Sequence, residues 1–258
     1  MPALSPETES FLENGYFVAP SVFSADALEK MERDFDRIAE QLNASGEPVN
    51  ARWDTPAMEG LDDGGSEVIH THSVHRYSDV WLRALMDPSF LDWAEKFVGP
   101  NIILHHTKLF LKPPERGAPF PAHQDWSYFP MEQDSMIAGI IFLQDTDDSM
   151  GGLRVYPGSH KLGRLENSSG LAKSRELADY PIEDAVPVTV NRGDVVFFHY
   201  CTLHGSLPNR SDRIRKTVLV QLHSGEDSLE DNPDVEHHYD ALTLRGWNYR
   251  MTRSRAKV

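Results

Sequence analysis

NIILHHTKLFLKPPERGAPFPAHQDWSYFP, residues 101 to 130, is where the chain changes character. Two short apolar runs, Ile102 to His105 and Lys108 to Leu111, end at Pro113-Pro114, and a loop follows before His123. The rhythm continues downstream, with further runs at Ile137 to Leu143, Leu153 to Tyr156, Val186 to Val190, Val195 to His199 and Lys216 to Leu222. Short strands divided by turn residues at this spacing predict a β-sandwich or jelly roll.

Upstream the period is helical. Ser5-Pro6-Glu7 opens a short helix that Gly15 closes, because proline suits the first helical position and glycine the residue past the end. Tyr16-Phe17-Val18 reads as a strand. Ser24 caps a second helix whose Leu28, Met31, Phe35, Ile38 and Leu42 form one core-facing stripe. Asn43 to Gly65, with Pro48 and Pro56, reads as a long loop of the kind that serves as a lid. His70, His72 and His75 follow it as candidates for a substrate pocket, against the plainer reading of solvent-exposed loop histidines. Helices resume at about Asp79 to Met86 and Ser89 to Val98, where Gly99-Pro100 ends them. Lys161 to Asp184 is polar and reads as a surface insertion over the pocket. The expectation is a mainly β fold with flanking helices, one domain over residues 1–258. It divides into a helical part to residue 100, a core from 101 to 222 and a C-terminal extension from 223.

Within the β region, His123-Gln124-Asp125 has the chemistry of a metal site. On an extended segment alternate side chains share a face, so His123 and Asp125 can grip one ion while Gln124 points away. Two histidines and a carboxylate that leave one side of the ion open form the facial triad of non-haem Fe(II) oxygenases, and His204 is the distant second histidine. The pattern H-x-[DE] is weak alone, since 12 histidines and 40 acidic residues among 258 give roughly two matches by chance. The chain has two. The second, His238-Tyr239-Asp240, has no later histidine to complete it and reads as surface.

Context distinguishes the first. Lys112-Pro113-Pro114, then His123-Gln124-Asp125-Trp126-Ser127-Tyr128-Phe129-Pro130, resembles the phytanoyl-CoA dioxygenase family of Fe(II)/2-oxoglutarate oxygenases. So do Gly151-Gly152-Leu153 before Pro157-Gly158-Ser159-His160, Arg192-Gly193-Asp194 before Val195-Val196-Phe197-Phe198, and His204-Gly205-Ser206 with Arg215 beyond. The resemblance covers roughly residues 100 to 222 and implies a double-stranded β-helix, a cupin-like jelly roll, with the N-terminal helices packed on its sheet. It implies that His123, Asp125 and His204 hold iron and that Arg215 binds the far carboxylate of 2-oxoglutarate, a task suited to a planar, permanently charged guanidinium. Ser206 shares the parity of His204 and reaches the same carboxylate. Lys108 stands where the family has an apolar residue near the co-substrate and adds a second cation. Ile141 stands where a tryptophan is often found, so that wall of the pocket is smaller. Asp125 replaces the small residue of the related halogenases and argues against that variant.

The resemblance implies an Fe(II)- and 2-oxoglutarate-dependent dioxygenase. With O2 it hydroxylates a small molecule and forms succinate and CO2, although desaturation, cyclisation or C–N cleavage would use the same oxidant. Trp126, Tyr128, His72 and Arg154 are the candidates for substrate contact, with Phe129 beside them. Two alternatives stay open: a cupin-type metal enzyme that does not use 2-oxoglutarate and has no task for Arg215, and a catalytically silent small-ligand binding protein on the same fold.

Composition agrees. At 40% hydrophobic over 258 residues the chain can bury a full core. Its formal net charge of -15 opposes nucleic acid and anionic membranes, and no obligate protein partner is expected. The single cysteine, Cys201, excludes an internal disulfide and reads as buried filler. With no signal peptide, spanning segment or peroxisomal address apparent, the cytoplasm is the expected compartment.

Overall fold

The computed structural model describes residues 4–46, 67–166, 177–230 and 239–249. Helix α1 (Pro6–Asn14) starts where the Ser5 hydroxyl accepts from Thr8 N–H, and stops at Gly15, whose φ of 76° is left-handed. That turn matters downstream: the Gly15 carbonyl accepts from His199 N–H at 2.9 Å and from the Thr202 hydroxyl at 2.8 Å. Strand β1 (Tyr16–Ala19) follows, then α2 (Ala25–Ser45), capped by Ser24. Leu28, Met31, Phe35 and Ile38 of α2 are buried as the stripe requires, and Leu42 packs partly buried against the same core. Asn43, Ala44 and Ser45 belong to this helix and not to a loop, and Gly46 caps it; the rest of the expected lid, residues 47–65, lies outside the described residues.

Strand β2 (Ile69–His72) carries two of the histidines expected on a loop. Helices α3 (Asp79–Leu85) and α4 (Pro88–Val98) come next, capped by Ser78 and Asp87. The two apolar runs after Asn101 merge into one strand, β3 (Ile102–Lys112), because backbone pairing with β10 carries the chain through the polar residues between them. Then follow β4 (Phe120–His123), β5 (Ile137–Phe142), β6 (Arg154–Val155), β7 (Val186–Pro187), β8 (Val195–His199), β9 (His204–Ser206), β10 (Arg215–Ser224) and β11 (Leu242–Arg245). Among the described residues no helix is long and apolar enough to cross a membrane.

These strands make two antiparallel sheets, as the jelly-roll expectation requires. The larger is ordered β1-β8-β5-β10-β3-β11, with β2 also on β3; the smaller is β4-β9-β6-β7. One face of the large sheet supports the helices, where Phe35, Trp81, Leu85 and Phe90 pack on Leu109, Ile141, Phe197 and Val218. Truncating Phe90 in such a core costs about 3 to 5 kcal/mol. The other face meets the small sheet, where Phe142, Val196 and Phe198 pack on Leu153 and Val155.

Strand parity therefore decides which side chains see the interior. Ile141 is buried against the helices, so it is no wall of a pocket; Ile140 and Phe142 face the interior instead. On β3, Leu222 pairs with Leu104 but Gln221 pairs with His106, leaving His105 as an extra residue. Such a bulge shifts the phase of the strand. Past it, Lys108, Phe110 and Lys112 turn inward while Leu109 and Leu111 join the helix-side core.

The second H-x-D motif is not surface. Asp240 is 4% exposed at its side chain, faces His75 Nε2 at 3.5 Å and pairs with Arg76. Tyr239 packs tilted against His105 at 5.1 Å, so these residues fasten the C-terminal segment to the sheet. His238 lies outside the described residues.

Candidate active site

Strands β4 and β9 of the small sheet bring the two histidines together. His123 is paired directly opposite His204, their ring centroids 4.2 Å apart. Gly205 makes the approach possible, since a Cβ there would lie 2.6 Å from the Phe120 carbonyl oxygen and 2.7 Å from that of Pro121. Each imidazole is oriented by a backbone carbonyl: His123 Nδ1 lies 2.9 Å from Pro121 O, and His204 Nδ1 lies 2.9 Å from Thr202 O. Donation from Nδ1–H in both turns the Nε2 lone pair toward Asp125, the usual arrangement of a metal ligand.

The carboxylate arrives by a route the alternation rule only partly anticipates. Strand β4 ends at His123 and Asp125 opens a 3-10 turn, but Gln124 between them is extended (φ -114°, ψ 143°), so Asp125 still emerges beside His123. Gln124 does point away, donating to Gly163 O at 2.9 Å and Cys201 O at 2.6 Å and accepting from Leu165 N–H at 2.9 Å. Asp125 Oδ1 lies 3.6 Å from His123 Nε2 and 3.7 Å from His204 Nε2. All three ligating atoms fall within 4.8 Å of one another, and all three residues are buried.

Electrostatics fit a divalent cation. Burial pushes the Asp125 carboxyl up, but His204, His123 and Gln221 outweigh it and hold it at about 2. Burial, with His123 alongside, lowers His204 to about 4. Asp125 and His204 are thus deprotonated at neutral pH, the state a metal requires. Gln221 Nε2 donates to Asp125 Oδ2 at 2.6 Å, which engages one carboxylate oxygen and leaves Oδ1 toward the histidines.

A second buried cluster lies on the large sheet. Arg215 of β10 is paired opposite Lys112 of β3. Lys112 Nζ donates to Ser206 Oγ at 2.7 Å and Leu207 O at 3.0 Å. Arg215 donates to Gly151 O, and its buried Nε has no hydrogen-bond partner. Burial lowers Arg215 to about 10, and burial together with Arg215 holds Lys112 well below the ordinary lysine range. Among the described residues no carboxylate pairs with either. Like charges on directly opposed strand positions repel, so the arrangement suits a bound anion. Ser206 lies beside them, as its parity with His204 requires.

Comparison with known proteins accords with this geometry. Residues 11–217 match the family described as Phytanoyl-CoA dioxygenase (PhyH). The chain belongs to the phytanoyl-CoA dioxygenase family. It is 30% identical over 224 residues to a probable alpha-ketoglutarate-dependent hypophosphite dioxygenase of Stutzerimonas stutzeri, covering 83% of this chain and 76% of that protein. It is also 30% identical over 237 residues to peroxisomal phytanoyl-CoA dioxygenase of Rattus norvegicus, 86% of this chain and 69% of that one. A crystal structure of EctD from S. alaskensis with bound Fe shares the fold, with a TM-score of 0.71 at 21% identity over 95% of this chain and 87% of that one. The protein is a non-haem iron, 2-oxoglutarate-dependent oxygenase. This membership removes the cupin-type enzyme without 2-oxoglutarate and the silent binding protein as readings.

In this phytanoyl-CoA dioxygenase relative, the other residues singled out from sequence fall in different places. Lys108 faces inward, but Lys112 is the lysine opposite Arg215, while Asp125 acts on Lys108. His72 is paired with Lys108, on the same face. Tyr128 stands edge-on to His123 at 6.5 Å, its phenol raised by burial and by Asp125. Trp126 instead lies under the Arg164 guanidinium at 5.2 Å, against Met131 and Met136. Arg154 is a correction. It is paired opposite Gly205, on the face away from His204, and is held by both oxygens of Asp148 at 2.7 Å and by the carbonyls of Glu183 and Ala185. Cys201 is buried, its thiol pushed up to about 12 by burial first and by Asp134. Lys112 and Gln221 escaped the sequence reading. The parity of Gln221 with Arg215 was a usable signal, but nothing local marks Lys112 as the partner of Arg215.

Proposed function

We propose that His123, Asp125 and His204 hold Fe(II), that Arg215, Lys112 and Ser206 seat the far carboxylate of 2-oxoglutarate, and that a small molecule is hydroxylated beside them. The supporting observation is a buried triad, with Asp125 and His204 deprotonated, beside two buried basic side chains that pair with no carboxylate among the described residues. When bound, the iron supplies the oxidation, in which 2-oxoglutarate, O2 and R–H give succinate, CO2 and R–OH. The chain contributes position and dryness. His123, Asp125 and His204 would hold the ion from one side, leaving positions for co-substrate and O2. Gln221 and the Pro121 and Thr202 carbonyls hold the ligands in register. A charge-assisted bond from Arg215 Nε, the orphaned donor, orients the co-substrate.

Relatives include proteins named for hypophosphite and for phytanoyl-CoA, so the substrate has to be read from this chain's own walls. The net charge of -15 supports a small-molecule partner over nucleic acid or an anionic membrane, and a single buried cysteine suits a reducing cytoplasm. The test is succinate formation from 2-oxoglutarate with Fe(II) and O2. Arg215→Ala should raise the KM for 2-oxoglutarate by about 10²-fold, and Asp125→Ala should abolish iron binding. Equal turnover in Arg215→Ala and the parent protein would refute the carboxylate seat.

A further inference from the structure

The inward face of the large sheet has a charge character opposite to that of the whole protein. The sequence holds 40 acidic residues against 25 lysines and arginines. On that face β10 presents Arg215, Thr217, Leu219 and Gln221; β3 presents His106, Lys108, Phe110 and Lys112; β2 presents His70 and His72. No acidic residue is among them. Arg215 and Lys112, at one end, are accounted for by the co-substrate. Lys108 and the imidazoles, at the end toward Gln221 and Asp125, are not.

Lys108 is partly buried, its Nζ 5.0 Å from the centre of the Phe110 ring. Among the described residues, the one charged group that acts on it is Asp125, itself an iron-ligand candidate that a metal would neutralise. His72 stands directly opposite it on β2. His72 lies 5.7 Å from His106 and 5.7 Å from His70, centroid to centroid. His106 is paired with Gln221, which grips Asp125. The wall beside the iron ligands is therefore one ammonium set among imidazoles, with Phe129 at 5.0 Å from His106 and Tyr128 near His123 closing the apolar side.

We propose that this wall is the substrate subsite, and that the substrate is a small molecule whose compact oxyanion, a carboxylate or a phosphonate, docks on Lys108 between His72 and His106. The inference rests on the iron and 2-oxoglutarate assignment above and names the substrate class for the same site. A desolvated cation whose one counter-charge among the described residues, Asp125, would be taken up by a metal is costly, and an incoming anion removes that cost while its contact with the ammonium gains strength. A lysine serves as a point charge for either oxyanion, where an arginine would favour one fork geometry. Because Lys108 lies toward Asp125, the carbon oxidised is near the acidic end of the substrate.

The experiment uses the full chain loaded with Fe(II) and saturating 2-oxoglutarate under argon, titrated calorimetrically with propionate, ethylphosphonate and propionamide. One of the two anions should bind at least about tenfold more tightly than the neutral amide, the scale of one charge-assisted bond. Whichever anion wins identifies the group. Lys108→Met should erase the preference and Lys108→Arg should keep most of it, with melting curves confirming that both variants are folded. Equal affinity for the anions and the amide in the parent protein overturns the inference, with no variant needed. So does a Lys108→Met protein that retains the anion preference but binds 2-oxoglutarate more weakly. Failure of the parent protein to bind 2-oxoglutarate, measured first, would overturn the co-substrate assignment and this inference with it.

Discussion

Replacing Lys112 with methionine separates two effects of a buried charge. Without co-substrate, Lys112 donates to Ser206 Oγ and Leu207 O and faces Arg215 across the strand pair. Methionine removes the repulsion and the desolvated charge, a change that is commonly neutral or stabilising by about 1 to 4 kcal/mol. It also leaves the Ser206 and Leu207 oxygens without that donor, at about 1 to 3 kcal/mol. The two nearly cancel, so the variant without co-substrate should melt close to the parent or slightly above it. With co-substrate the effect is one-sided. Loss of a charge-assisted hydrogen bond, about 1.5 to 3 kcal/mol, weakens 2-oxoglutarate binding by about 10- to 150-fold. At a concentration about 100 times the parent Kd, 2-oxoglutarate stabilises by about 2.7 kcal/mol; a protein with 100-fold weaker affinity keeps only about 0.4. For a chain of this size that loss removes about 5 to 9 °C from the ligand-induced rise in Tm. Scanning calorimetry with Fe(II) under argon, with and without 2-oxoglutarate, reads both terms. A variant that melts several degrees low but keeps the full 2-oxoglutarate shift would show Lys112 to be packing and would refute the anion seat.

Other perturbations address the rest of the site. Gln221→Leu removes the donor at Asp125 Oδ2 and should weaken iron binding or activity by about 10- to 100-fold, measured by chelator competition; unchanged iron affinity would count against its positioning role. Arg154→Met breaks the link between Asp148 and the 182–185 turn, so Tm should fall by several degrees while the KM for 2-oxoglutarate holds. A stable variant with altered KM would return Arg154 to the pocket. Burial lowers the imidazoles of His75, His199 and His223 beneath the ordinary 6.5. The unfolded chain therefore takes up protons more readily than the folded one below about pH 6.5, and stability, full above that value, should decline as the solution is acidified. Urea melts that give equal stability at about pH 7.5 and pH 5 would contradict this.

The site was legible where a local rule carried through. Period-2 alternation joined His123 to Asp125 and His204 to Ser206, and helical stripes and caps placed α1 and α2. It was illegible where the answer depended on register between strands distant in sequence. Lys112 meets Arg215 only because β3 and β10 align there, and the extra residue at His105 resets which half of β3 faces inward. Ile141 was assigned to the pocket by position along the chain, yet a one-residue difference in parity puts it under the helices. Arg154 misled for the same reason. Asp240 looked exposed in a polar segment, and only tertiary pairing with His75 and Arg76 buries it.

Gln124 sits between two ligand candidates, and its amide is the fastening for the backbone at Gly163, Leu165 and Cys201. Both of its neighbours in sequence are therefore reached through one peptide segment whose outward side chain is knotted into the stretch that begins the polar insertion. Residues 163–165 and the two ligand candidates consequently share a mechanical anchor. Shortening that amide to asparagine would slacken the 163–165 backbone and the inner grip by the same stroke.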